Sequence, residues 1–200
     1  MEPENNSEYL NKEYWERRYE NEETYDWLLR YPQVKEDISP YITPEDKILV
    51  LGCGNSKFSE DLYLDGYRNI TNIDISQIVI DKMQEKHQDK PEMRWLVMNM
   101  LNMTFNPEEF DVVIDKATMD VLQCDIEDVW DPSDEVKSRI SQFYQNVYQV
   151  LKNQKHLLQI SFDQPHFRRK FVDTSKWNLS EKTLDKGGLP YFLYTLQKKI

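Results

Sequence analysis

Short apolar runs alternate with segments of helical period along most of the chain. Residues 47–51 (KILVL), 69–74 (NITNID), 94–98 (RWLVM), 110–115 (FDVVID) and 157–162 (LLQISF) are brief and rich in Val, Ile and Leu, as strands buried on both faces are. Ser56 is placed to cap a helix running to about Asp65 and ended by Gly66, and Ser76 to cap another running to about His87, short of Pro91. Val136, Ile140, Phe143, Tyr144, Val147, Val150 and Leu151 fall on one stripe, which predicts a longer amphipathic helix. This order predicts an α/β fold, a parallel sheet covered on both sides. Residues 190–197 (PYFLYTLQ) predict a late strand, with 177–184 (WNLSEKTL) as its candidate partner.

The N-terminal pattern is different. Trp15 and Tyr19 stand at i and i+4 of a predicted helix, with Tyr25 and Trp27 soon after. Such aromatics either pack the helix onto a core or form a lid at the sheet edge, and the pattern alone leaves both open. Residues 1–8 are polar enough to be mobile, so residues 9–35 form the expected aromatic helix or lid segment.

Composition narrows the picture. Two hundred residues with 39% hydrophobic content suit one core, so residues 1–200 are expected to form a single domain. A net charge of -11 disfavours nucleic acid as a partner, since the only basic strips are Arg168-Arg169-Lys170 and Lys198-Lys199. That field suits a basic protein partner and plain solubility equally. Cys53 and Cys124 lack metal-ligand spacing, which predicts no metal site and a reducing compartment. No run approaches the roughly 20 apolar residues of a membrane span, and no leader pattern opens the chain. A cytoplasmic protein without membrane contact is expected, and without a heptad seam a monomer.

Candidate chemistry begins where the first strand breaks into LGCGNSKF. Gly52 and Gly54 permit a sharp turn and close backbone approach, and the helix that follows aims free N–H groups at the same place. A dinucleotide fingerprint needs a third glycine where Lys57 stands, so this turn does not match a phosphate cradle. Asp74 ends the second strand about 20 residues on, where a carboxylate can accept from the ribose hydroxyls of a nucleoside cofactor; its alternative role is to cap the next helix.

Together with EYWERRY (13–19), YDW (25–27), NIDIS (72–76), DKATMDVL (115–122) and PHFR (165–168), that turn resembles class I S-adenosylmethionine-dependent methyltransferases, in the branch that includes elongation factor 1A lysine methyltransferases. The resemblance implies a Rossmann-like fold with a mostly parallel seven-stranded sheet, helices on both faces and an antiparallel C-terminal strand. It implies S-adenosylmethionine bound by Gly52, Gly54, Asp74, Ile75, Asn99, Met100 and Lys116, under a lid of Trp15, Tyr19 and Trp27. It implies a protein substrate, elongation factor 1A among the candidates. Two positions depart from the branch: Asn99 replaces its usual acid and Ala117 a common glycine.

Methyl transfer from a sulfonium is an in-line displacement that needs positioning and desolvation rather than an enzyme nucleophile. Accordingly, no Ser-His-Asp or Cys-His arrangement stands out. An acceptor lysine, with an ordinary pKa of about 10.4, must lose a proton first, which an apolar channel with a nearby carboxylate favours. Asp115 and Asp120 are the candidates to position the amine, with Trp177 and Tyr191 as further channel residues. Asp120 could equally start a helix, and His166 is expected in a loop contact. A nicotinamide oxidoreductase, a small-molecule methyltransferase and an inactive binding scaffold are the rival readings.

Overall fold

Ile48–Leu51, four apolar residues without a polar interruption, can only be accommodated with both faces covered, and they form an interior strand, β1, of a seven-stranded sheet. The computed structural model describes residues 3–200. The remaining strands are β2 (Ile70–Asp74), β3 (Arg94–Val97), β4 (Phe110–Lys116), β5 (Leu151–Ser161), β6 (Trp177–Leu184) and β7 (Tyr191–Lys198), in the order β3-β2-β1-β4-β5-β7-β6. Six run parallel, with Ile48 opposite both Ile70 and Val112. β7 runs against its neighbours β5 and β6, placing Thr195 between Leu158 and Ser180.

Alternation along β1 divides the interior in two. Ile48 and Val50 join a core with Val34, Ile38, Leu62 and Ile80, beneath helices α2 (Tyr31–Ile38), α3 (Phe58–Leu64) and α4 (Gln77–Lys86). Leu49 and Leu51 join the opposite core, closed by Ile140, Phe143 and Val147 of α6 (Asp134–Val150). Two short helices, α5 (Thr118–Val121) and α7 (Pro165–Arg168), follow β4 and β5.

Several local expectations are revised. Ser76 caps α4 by accepting from Val79 N–H at 3.2 Å, but Ser56 stands one residue before the cap of α3, which is Lys57, and accepts from Phe58 N–H at 3.1 Å. β3 is a sheet edge, so Arg94 and Val97 are exposed rather than buried on both faces. β5 starts directly after α6 and is longer than its apolar stretch. Its polar first half includes Gln154 in a left-handed conformation, and the pairing with β4 shifts register between Phe110 and Val112.

The N-terminal segment, expected to be mobile, contains a 3-10 turn over Asn6–Leu10. Asn5 Oδ1 accepts from Ser7 N–H at 3.0 Å and Glu8 Oε1 from Asn5 N–H at 3.2 Å. Residues 1 and 2 lie outside the described residues. Helix α1 (Lys12–Asn21) follows and lies against α4. No helix among the described residues is long and apolar enough to cross a membrane.

Candidate active site

Strand order reverses between β1 and β4, and there a cavity of about 740 Å³ opens beyond the carboxyl ends of the strands. Gly52 and Gly54 line it with φ of +56° and +51°, a region that favours glycine. Their lack of Cβ first serves the protein's own packing. A Cβ on Gly52 would collide with the Thr118 side chain, and one on Gly54 would lie 2.8 Å from the Tyr19 hydroxyl. Ala117, also in the cavity wall, holds φ of +67° with a side chain present.

Asp74 ends β2 with both carboxylate oxygens engaged. Oδ2 accepts from Gly54 N–H and Oδ1 from Ser76 N–H, each at 3.0 Å, so the acid fastens the glycine turn to the start of α4. Burial raises its pKa to about 6 against the lowering effect of those N–H groups. Each oxygen retains a further lone pair, so the acid that holds the turn can also accept from a ligand. Ile75 and Met100 supply apolar wall nearby, and Asn99 lines the same end while its Oδ1 accepts from Leu101 N–H at 2.8 Å.

The aromatic segment packs on the core and also lines the cavity. Trp15 stacks on Tyr19 with ring centroids 5.7 Å apart, Trp27 crosses Trp15 at 6.3 Å, and all three line the cavity while Tyr19 is buried. Polar contacts hold this wall. Glu16 accepts from Ser76 Oγ–H at 2.6 Å and from Gln77 and Ile78 N–H at 3.1 and 3.2 Å, acting as an anion at the N-terminus of α4. In return, Lys82 of α4 donates to the Tyr19 and Glu20 carbonyls at the end of α1. Asn55 accepts from Tyr25 N–H at 3.1 Å and donates to the Glu22 carbonyl at 3.2 Å, and Ser56 donates to Asp26. Lys116 donates to the Trp27 carbonyl at 2.8 Å with Asp26 3.8 Å away; burial lowers its pKa to about 8, opposed by Asp26.

The other end of the cavity is acidic. Asp120 lies in its wall, with Oδ1 accepting from Arg168 Nη2–H at 2.5 Å and Ser161 Oγ–H at 2.6 Å, while Oδ2 has no hydrogen-bond partner. Arg168 is fully buried, and its Nε lies 3.3 Å from Asp163, a second cavity acid whose pKa is raised by burial. Apolar Val121, Leu122, Ile126, Val129 and Phe162 also line the cavity, with Gln123, Cys124 and Arg139, the last paired to Asp125.

Asp115 does not belong with Asp120. Its carboxylate accepts from Thr118 and Met119 N–H at 3.0 and 3.1 Å and from Gln159 Nε2–H at 2.8 Å, so it starts α5 from beneath the wall. The helix-start role considered for Asp120 falls to Asp115. Trp177 is buried against Tyr148 in the core under α6, and Tyr191 packs on the opposite core; neither reaches the cavity. His166 contacts Trp130 and Phe167, but from the short helix α7 rather than from the loop expected. Glu16, Asp26, Asn55, Asp163 and Arg168 escaped the sequence reading. PHFR, in the family resemblance, pointed toward Arg168; the basic strips expected at 168–170 and 198–199 are broken, because Arg168 and Lys198 are buried.

An apolar cavity with aromatic faces and carboxylates suits a cationic nucleoside such as S-adenosylmethionine: the aromatic rings accept a positive charge and Asp74 can accept from hydroxyl groups. The comparisons agree. Residues 48–154 match the family model described as a methyltransferase domain. The chain is 32% identical over 201 residues to EEF1A lysine methyltransferase 4 of Mus musculus, covering 98% of this chain and 78% of that protein. It is 36% identical over 174 residues to the eEF1A lysine and N-terminal methyltransferase homolog of Drosophila melanogaster, covering 86% of this chain and 25% of that longer protein. Among solved structures, the N-methyltransferase NodS from Bradyrhizobium japonicum in complex with S-adenosyl-L-homocysteine superposes with a TM-score of 0.64 at 16% identity, covering 94% of this chain and 97% of that one. The chain belongs to the methyltransferase-domain family: it is a class I enzyme with S-adenosylmethionine as cofactor, similar to the elongation factor 1A lysine methyltransferases.

Proposed function

We propose that this methyltransferase acts on a lysine of an elongation factor 1A-like protein in the cytoplasm, and that the two ends of its cavity divide the work. In this reading Gly52, Gly54 and Asp74 hold the ribose and methionine side of the cofactor, while Ile75, Asn99 and Met100 bound its adenine. Trp15, Tyr19 and Trp27 cover it, with Lys116 fixing the cover by its bond to the Trp27 carbonyl. The observation that carries the lysine assignment is the acidic end: Asp120 and Asp163 line the cavity among apolar side chains, an environment that attracts an ammonium group. The names of the relatives support the same acceptor.

When bound, S-adenosylmethionine supplies an activated methyl group; the acceptor nitrogen's lone pair forms the new N–C bond as the C–S bond breaks and its electron pair stays on sulfur. The chain's own residues prepare the nitrogen. Asp120 and Asp163 draw in the cation, and Val121, Leu122, Ile126 and Phe162 disfavour the charge once it is inside, lowering the amine's pKa so that its proton passes to solvent water before attack. Arg168 keeps Asp120 in place by direct ion pairing. Alignment rather than a dedicated base then provides the rate, worth about 7–11 kcal/mol in well-oriented systems.

The test is incubation of purified elongation factor 1A with the protein and labelled cofactor, followed by peptide mass spectrometry. Label on a lysine, with kcat reduced about 100-fold or more in Asp120→Ala while cofactor affinity persists, supports the assignment. Label confined to small molecules in a parallel lysate incubation, or to another residue type, rejects it.

A further inference from the structure

We infer that the outer rim of the acidic opening, residues 127–134 together with Phe162, docks a basic stretch of the protein substrate around the acceptor lysine; this rests on the protein-lysine reading above. Residues 125–135 contribute six acids and no base. Arg139 takes Asp125 at 2.5 Å and approaches Glu135 at 3.8 Å, and Lys137 takes Asp131 at 2.8 Å. Glu127, Asp128 and Asp134 are exposed and have no ion-pair partner among the described residues.

Among these acids stand apolar side chains that folding leaves in water. Trp130 is 68% exposed and Phe162 59%, and Val129 and Phe162 belong to the cavity wall. Asp128 Oδ1 accepts from Trp130 N–H at 2.8 Å, which fixes the loop where the tryptophan emerges. Trp130 rests on His166 and Phe167, and Lys170 lies 4.8 Å over its ring. That contact places a cation of the chain itself over the indole.

A rim of unpaired carboxylates around exposed aromatic surface complements Lys and Arg side chains, whose alkyl stems cover apolar area while their charged ends reach the acids. Below the rim, Asp120 and Asp163 line the cavity wall, so the surface leads inward to further acidic residues. The occupant that fits is an extended basic segment with one lysine directed into the cavity and neighbouring Lys or Arg on the rim. A neutral or acidic segment would leave the three acids unpaired and bring like charges together.

The experiment compares the wild-type chain with the triple variant Glu127→Gln, Asp128→Asn, Asp134→Asn, none of which lines the cavity, using elongation factor 1A as substrate. KM for the protein should rise about tenfold in the variant, with kcat and cofactor affinity within about twofold, and the steep salt dependence of the wild-type KM should flatten. Unchanged KM and salt slope in an otherwise active enzyme would overturn the docking surface while leaving lysine methylation intact. A binding arm separates the two ideas: the cofactor-loaded protein is titrated with a Lys/Arg-rich peptide and with the same peptide carrying Gln at those positions. Preference for the basic peptide, lost in the triple variant, supports the rim even where no methyl transfer is detected; equal binding of both peptides rejects it. Trp130→Ala should weaken the basic peptide severalfold without altering thermal stability.

Discussion

The two ends of the cavity are built on opposite plans. At the end proposed for the cofactor, the polar groups are committed: Asp74 ties the glycine turn to α4, Glu16 and Lys82 join α1 and α4 from both sides, and Asn55, Asp26 and Lys116 fasten residues 22–27. At the opposite end, buried Asp120 and Arg168 with half-buried Asp163 give way to an exposed rim whose charges are partly unpaired. A ligand that never varies can be met by groups that also hold the fold together. A macromolecular partner is better met by surface whose loss costs the fold little.

That contrast can be broken experimentally. Asp74→Ala should have the largest effect, because it removes the acceptor for two buried N–H groups as well as the proposed ligand contact. Titration calorimetry should show no saturable cofactor heat, and denaturant unfolding should show a loss of about 2 kcal/mol or more. The rim triple variant should change stability by no more than about 0.5 kcal/mol. A large loss there would mean the rim also serves the fold.

Next in size is Lys116→Met, which should weaken cofactor binding about tenfold by releasing the Trp27 carbonyl. Lys116 also has a pH signature. Its folded value of about 8 lies below the ordinary 10.5, so its contribution to stability is full above about 10.5 and is lost as pH falls through about 8. Unfolding free energy measured from pH 7 to 10 should therefore rise less in Lys116→Met than in the wild type.

For Asp74 the sign is reversed. A folded value of about 6, above the ordinary 3.8, gives a contribution present below 3.8 and lost as pH rises through 6. Ligand binding favours the ionised carboxylate, so cofactor affinity should fall several-fold between pH 7.5 and 5, and Asp74→Asn should remove that dependence. Smaller still, Glu16→Gln should cost about 1 kcal/mol by weakening the charge at the start of α4, read as a lower Tm with the acceptor KM unchanged.

Local features were legible in the sequence and distant pairings were not. The α6 stripe and the Ser76 cap involve neighbours within a few residues, and both appear where the pattern put them. Asp74 could be located because a glycine turn and a strand-end acid form a recurrent pair. By contrast, Glu16 reaches Ser76 and Asp26 reaches Ser56 across chain separations that leave no periodic trace. Asp115 and Asp120 show the limit most clearly. Both are acids in one short run, and only the placement of Gln159, the α5 N–H groups and Arg168 sends one beneath the wall and the other into it.

Ala117 carries one more consequence. A left-handed alanine is less favourable than glycine by about 1 kcal/mol, so Ala117→Gly should raise the Tm by about 2–4 °C. Alanine and glycine codons differ at a single nucleotide, so mutation can reach the relaxed backbone in one step. The methyl group thus marks a strain that selection has had ready opportunity to erase, at a position in the cavity wall between Lys116 and Thr118.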